Sequence, residues 1–151
     1  MSSSAPDPIV PTPDRPLVYV AGPLFDEGER HWVETIEAML VELGFTTFLP
    51  HRDNPDKTAD TTGVIFRNDL DHLQRCELVV ANLNGITTDD GTAWELGYSH
   101  ARGTYQIGLH TDWRRRFDDE VVNLMMEESI DELVRSLDDL RDAARRWLDR
   151  R

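Results

Sequence analysis

Six consecutive residues, Leu78-Val79-Val80-Ala81-Asn82-Leu83, give a strand almost no polar face. Successive strand side chains point to opposite faces, so a run that is apolar at both parities needs cover on both sides. That is the situation of a parallel strand inside an α/β sheet. A polar turn, residues 84–88, follows. Next comes Asp89-Asp90-Gly91-Thr92-Ala93-Trp94-Glu95-Leu96-Gly97, which reads as a helix start with Ala93, Leu96 and Ala101 on one face. In open α/β sheets such a strand-to-helix junction lies at the carboxyl edge, where ligands bind. Asp89, Asp90 and Thr92 suit a helix start as caps. Glu95 lies roughly one turn further in, where the helix field holds a carboxylate ionised while it faces a ligand.

The rest of the chain repeats the alternation. Leu17-Val18-Tyr19-Val20-Ala21-Gly22 is a strand with a sharp exit at Gly22-Pro23. Residues 26–43 carry a helical stripe of Trp32, Val33, Ile36, Met39, Leu40 and Leu43, stopped by Gly44. Residues 45–49 form a second strand ended by Pro50. Residues 51–62 form a polar loop, long enough to suggest a lid. A helix over 64–75 turns Ile65, Phe66, Leu70 and Leu73 inward. After the Glu95 helix, which ends near Arg102-Gly103, Tyr105-Gln106-Ile107-Gly108-Leu109 is a fourth strand. A charged loop (111–119), a short helical piece (120–126), a short strand at Leu133-Val134 and a last helix through Trp147 complete the chain. Ser136 with Asp139 suits a capping box for that helix. The expected fold is a flavodoxin-like three-layer α/β sandwich, with about five parallel strands and helices on both faces. Residues 17–151 form its single domain, behind a Pro-rich, flexible leader at residues 1–16.

The formal charge of −13 argues against a nucleic-acid polymer as partner, since that binding needs a basic surface. An uncharged nucleoside is not repelled. The basic residues are arginines except Lys57. Such an acid-rich, lysine-poor surface fits a salt-adapted source. The lone Cys76, between Leu73 and Leu78, reads as a buried thiol in a reducing cytoplasm, with no disulfide framework. No apolar run approaches the ~20 residues of a membrane span, and the N-terminus has no signal-peptide pattern. The five histidines are scattered without paired spacing, so no metal or other cofactor is expected.

Three strand exits converge at the carboxyl edge. They bring Tyr19, Gly22, Pro23 and Phe25, then the His51 loop, then Asp89, Asp90, Gly91 and Glu95; the helix over 64–75 adds Asn68 and Asp69. Several carboxylates beside glycines and aromatic walls suit a sugar joined to a flat base. Cleavage of an N-glycosidic bond passes through an oxocarbenium-like state. One carboxylate attacks or shields the anomeric carbon, and another acid assists the departing base. Glu95 as a solvated helix residue, Asp89 as a mere cap, Tyr19 as a core aromatic and Trp94 as packing are the bland alternatives. For Arg114-Arg115-Arg116 the alternatives are a solvated loop and an anion contact.

The segments Tyr19 to Phe25, Asn68-Asp69-Leu70, Asp89 to Gly97 and Asn123-Leu124-Met125 together resemble the nucleoside 2-deoxyribosyltransferase family over most of residues 17–126. The resemblance implies a flavodoxin-like enzyme of nucleoside salvage. Such an enzyme exchanges the base of 2'-deoxynucleosides through a covalent deoxyribosyl ester, with nucleoside and free nucleobase as its partners. By that resemblance Glu95 is the nucleophile, Asp69 and Asp89 contact the base and assist proton transfer, and Tyr19 stands beside the nucleophile. Asn123, with Met125 in the same motif, is contributed by a neighbouring subunit to the sugar 5'-hydroxyl, which implies a homo-oligomer. Leu24 stands where the family often has an aromatic, which leaves the preferred base open. An N-glycoside hydrolase of nucleosides or their 5'-monophosphates, and a non-catalytic nucleotide sensor, remain the alternatives.

Overall fold

Five strands run parallel in the order β2-β1-β3-β4-β5. The computed structural model describes residues 11–115 and 117–151. In chain order the elements are β1 (Leu17–Ala21), α1 (Glu27–Glu42), β2 (Thr46–Phe48), α2 (Pro50–Asp53) and α3 (Thr62–Arg75). They continue with β3 (Leu78–Asn82), α4 (Asp90–Arg102), β4 (Tyr105–Leu109), α5 (Leu124–Glu127), β5 (Glu132–Val134) and α6 (Leu137–Asp149). This is the flavodoxin-like α/β fold that the alternation implied.

The strands are buried at both parities, and each parity feeds its own core. Val18, Val20, Leu78, Val80, Ile107 and Leu109 pack beneath α1 and α6, on Val33, Ile36, Leu40, Leu140 and Ala143. Leu17, Tyr19, Ala21, Val79 and Ala81 face the other way, toward Leu73 of α3 and Leu96 of α4. A helix on each face is what a strand without a polar side demands. Chain order reverses direction at β1, whose neighbours are β2 and β3. The crevice beyond the carboxyl ends of β1 and β3 is therefore the topological switch point.

Helix ends follow local chemistry. Asp26 and Glu29 form a reciprocal capping box at the start of α1. Gly103, at φ 73°, closes α4 in the left-handed conformation that favours glycine. Ser136 caps α6 by accepting from the Asp139 amide.

Several expectations need correction. Pro50 does not hand over to an irregular loop; it opens α2, since proline suits a helix's first position. The helix expected over 64–75 begins two residues earlier, at Thr62. Phe66 points outward and is about half exposed. Ala101 is also exposed, and α4 buries Thr92, Leu96 and Ser99 instead. The helix expected over 120–126 is only α5, because the Asn123 side chain accepts from the Met125 amide and starts the turn there. Of the leader, residues 1–10 lie outside the described residues. Thr12 and Arg15 exchange backbone bonds, and the Pro13 carbonyl accepts from Arg151. No helix among the described residues is long and apolar enough to cross a membrane.

Candidate active site

Tyr19 belongs to the sheet face covered by α3 and α4, and its ring is fully buried. It packs on Phe48 with centroids 5.3 Å apart, and Phe48 stacks on His72 at 3.8 Å. With the ring so fixed, its hydroxyl donates to Glu95 Oε1 at 2.6 Å. That bond joins β1 to the first turns of α4 across the switch point.

The other two carboxylates are held by different means. Asp89 is the N-cap of α4; its Oδ2 accepts from the Thr92 amide at 2.9 Å and from the Thr92 hydroxyl at 3.0 Å. Asp69, on α3, accepts from the Asn54 side-chain amide at 2.6 Å. Asn54 in turn accepts from Asn68 at 2.8 Å, and Asn68 also donates to the Asp53 carbonyl at 3.2 Å. Asn68 thus orients Asn54, and Asn54 orients Asp69. Thr92 was expected only as part of the helix start, and the sequence did not single out Asn54; a polar residue in a polar loop carries no signal of its partner.

The helix field does not keep Glu95 readily ionised as expected: burial outweighs it and pushes the carboxyl up to about 8, and the charges of Asp69 and Asp89 add to the rise. The Tyr19 hydroxyl opposes it by bonding the ionised form. Burial also raises Asp69, while the Asn54 bond and His72 pull it down. Burial first, and then the charge of Glu95, lifts Tyr19 far above the usual phenol range, so its hydroxyl stays a donor.

Glu95 opens onto two adjoining lobes. One, of about 520 Å³, is lined by Gly22, Phe25, Arg30, His51, Asn54, Lys57, Asp69, Asp89, Gly91 and Thr92, among others. The second, of about 620 Å³, has Lys57, Ile65, Phe66, Leu70, Asp69, Asp90 and Trp94 in its wall. A larger cavity of about 690 Å³ lies along α4 and α5, lined by Ala93, Gly97, Asn123 and Met125 and not by Glu95. Size alone therefore does not mark the site; the carboxylate cluster does. Gly22 is required by close approach: a Cβ there would sit 2.9 Å from the Asn82 Cβ and 3.1 Å from Val33 Cγ1.

The named residues thus divide into three groups. Gly22, Phe25, Asp69, Asp89, Gly91 and Glu95 share one lobe, with Tyr19 behind Glu95. Pro23 is buried, and Asn68 acts on Asn54 rather than lining either lobe. Asn123 and the exposed Met125 belong to the third cavity. Trp94 stacks on Tyr98 at 5.4 Å and meets Phe66 edge-on at 6.0 Å, so it is both packed and part of the wall. Arg114 is paired with Asp112, Arg115 donates to the Asp118 carbonyl, and Arg116 lies outside the described residues. Among the described residues, no group of three or more His, Cys, Asp or Glu side chains is placed to hold a metal ion.

A cluster of carboxylates around one tyrosine-bonded glutamate, in a cleft with aromatic walls, suits nucleophilic attack with acid assistance. The family model for nucleoside 2-deoxyribosyltransferases matches residues 18–128. The 2-deoxyribosyltransferase of the psychrotolerant bacterium Bacillus psychrosaccharolyticus is 27% identical, with a TM-score of 0.73 over 83% of this chain and 90% of that one. A 2-deoxyribosyltransferase from Leishmania mexicana is 22% identical, with a TM-score of 0.66 over 89% and 97% of the two chains. A CMP N-glycosidase from Clostridium botulinum is 17% identical, with a TM-score of 0.57 over 84% and 96%. The last two attest to the fold alone. No curated protein matches the sequence. With most of its length, Tyr19 to Asn123 included, inside the matched stretch, the chain belongs to the nucleoside 2-deoxyribosyltransferase family and is an enzyme of that kind.

Proposed function

We propose that the protein exchanges the base of 2'-deoxynucleosides, with Glu95 as the nucleophile. The observation that carries this reading is the Glu95–Tyr19 bond at 2.6 Å, made in the wall of a cleft that also holds Asp69 and Asp89. A carboxyl raised to about 8 holds its proton in the resting site at neutral pH. Passing that proton to Asp69 or Asp89 ionises the nucleophile and arms the acid in one step. A Glu95 oxygen then attacks C1' of the deoxyribose. The C1'–O bond forms as the C1'–N bond breaks, the bonding pair goes to the base nitrogen, and the base takes the proton. A nitrogen of a second base attacks C1' of the ester, gives its proton to the same carboxylate, and returns the C1'–O pair to Glu95. Two inversions leave the anomer unchanged.

Asn123 and Met125 fit this scheme as a contribution from a second copy of the chain. They are exposed beside Leu124, at the start of a short helix outside the Glu95 lobes, as residues of a shared site would be in one isolated copy. Chromatography after incubation with deoxyuridine and free hypoxanthine tests the activity. The expected product is deoxyinosine; uracil and free deoxyribose without deoxyinosine would make the protein a hydrolase instead.

A further inference from the structure

Lys57 is the one lysine among 16 basic residues, and it lines both lobes onto which Glu95 opens. Its loop is pinned. The Thr58 amide donates to the Thr61 hydroxyl at 2.7 Å, and that hydroxyl donates to the Asp56 carbonyl at 2.7 Å. Two other cations nearby are engaged elsewhere. Arg30 donates to the Leu24 carbonyl at 2.9 Å, and Arg52 pairs with Glu37 and Asp53. Among the described residues, no hydrogen bond or ion pair holds the Lys57 ammonium.

Place a nucleoside with C1' at Glu95 and its base in the lobe of Asp69 and Asp89. Both aspartates line the same lobe as Glu95, so they stand near the glycosidic bond. Lys57 is exposed on a loop that lines the same lobe, whereas Glu95 and Asp69 are half-buried, so its ammonium enters from the solvent side. It therefore meets the part of the base far from that bond: the substituent at C4 of a pyrimidine or C6 of a purine. An ammonium has three donors and no acceptor. It bonds a carbonyl oxygen there and is opposed by an amino group.

We propose that Lys57 reads this distal substituent and sets the enzyme to prefer oxo bases (uracil, thymine, hypoxanthine, guanine) over amino bases (cytosine, adenine). The inference rests on the nucleoside reading of the site and adds its substrate class. A hydrogen bond to a charged group, set against a donor facing a donor, is worth about tenfold or more in relative kcat/KM.

The test offers deoxyuridine and deoxycytidine together, at equal concentration, with one acceptor base, and follows the loss of each. Wild type should consume deoxyuridine about tenfold faster, and Lys57→Met should bring the two rates close to equality. A ratio unchanged by Lys57→Met, or a wild-type preference for deoxycytidine, overturns the proposal. If neither nucleoside is consumed, the exchange reading has failed separately. Calorimetric titration of free uracil and free cytosine then decides on Lys57. Tighter binding of uracil that is lost in Lys57→Met supports the proposal; equal binding of the two bases by wild type, or a preference that survives in Lys57→Met, overturns it.

Discussion

Glu95 is held at a cost that its own protonation reveals. Folded, the carboxyl releases its proton near pH 8; its ordinary value is 4.5. Between those values the folded state binds more protons than the unfolded state, so stability falls as pH rises through that window. Glutamine at this position undergoes no such loss and still accepts from Tyr19. The Glu95→Gln variant should melt near the wild-type temperature at about pH 4.5 and several degrees above it near pH 8, as scanning calorimetry can follow. A melting difference independent of pH would contradict the burial of this carboxylate. If Glu95 is the nucleophile, as proposed, the same variant should lower kcat by about a thousandfold or more. Strand and helix patterns indicate Glu95 as a candidate, but not its partner. Tyr19 lies 76 residues away, and only the parallel register that sets Tyr19 beside Val79 brings its hydroxyl to α4.

At the scale of elements, α2, α3 and the loop between them act as a clamp on Asp69. The Asn68–Asn54–Asp69 relay ties the first turn after β2 to the middle of α3. Removing the amide of Asn54 takes away a bond that favours the ionised carboxylate, so the Asp69 carboxyl should rise further. Asn54→Ala should lower kcat/KM about tenfold and move the acidic limb of its pH profile upward. A profile that superimposes on wild type would show that Asn54 does not act through Asp69. The core strands were legible because apolar runs leave no choice: β4 covers the five residues expected, Tyr105–Leu109. The surface of α3 was not. Phe66 has the spacing of an inward residue, yet it lies outside the core as the edge-on neighbour of Trp94 in the second lobe. Hydrophobic periodicity marks apolar residues, whether the face they form meets the core or a cleft.

At the scale of the whole molecule, charge dominates. A net −13 on 151 residues repels itself in dilute buffer, and salt screens that repulsion. The melting temperature should climb as KCl is raised from tens of millimolar to the molar range, where the Debye length shrinks to about 3 Å. A flat or falling curve would contradict the expectation of a salt-adapted surface. The parallel sheet and its switch point follow from the alternation of strands and helices, and with them the crevice proposed as the site. What the alternation cannot carry is which side chains of the loop after α2 line the cleft, since Asn54 and Lys57 sit on a segment without periodicity.

The proposed exchange requires a covalent bond between Glu95 and C1' of the sugar. A 2'-deoxy-2'-fluoronucleoside can trap it, because fluorine slows the oxocarbenium-like steps and prolongs the life of the ester. The protein is incubated with this compound alone, digested, and its peptides are weighed by mass spectrometry. The expected result is one fluorodeoxyribosyl group on the peptide that contains Glu95, absent from Glu95→Gln and discharged when a free base is added. Turnover with the Glu95 peptide unmodified, or the sugar on a different residue, would contradict it.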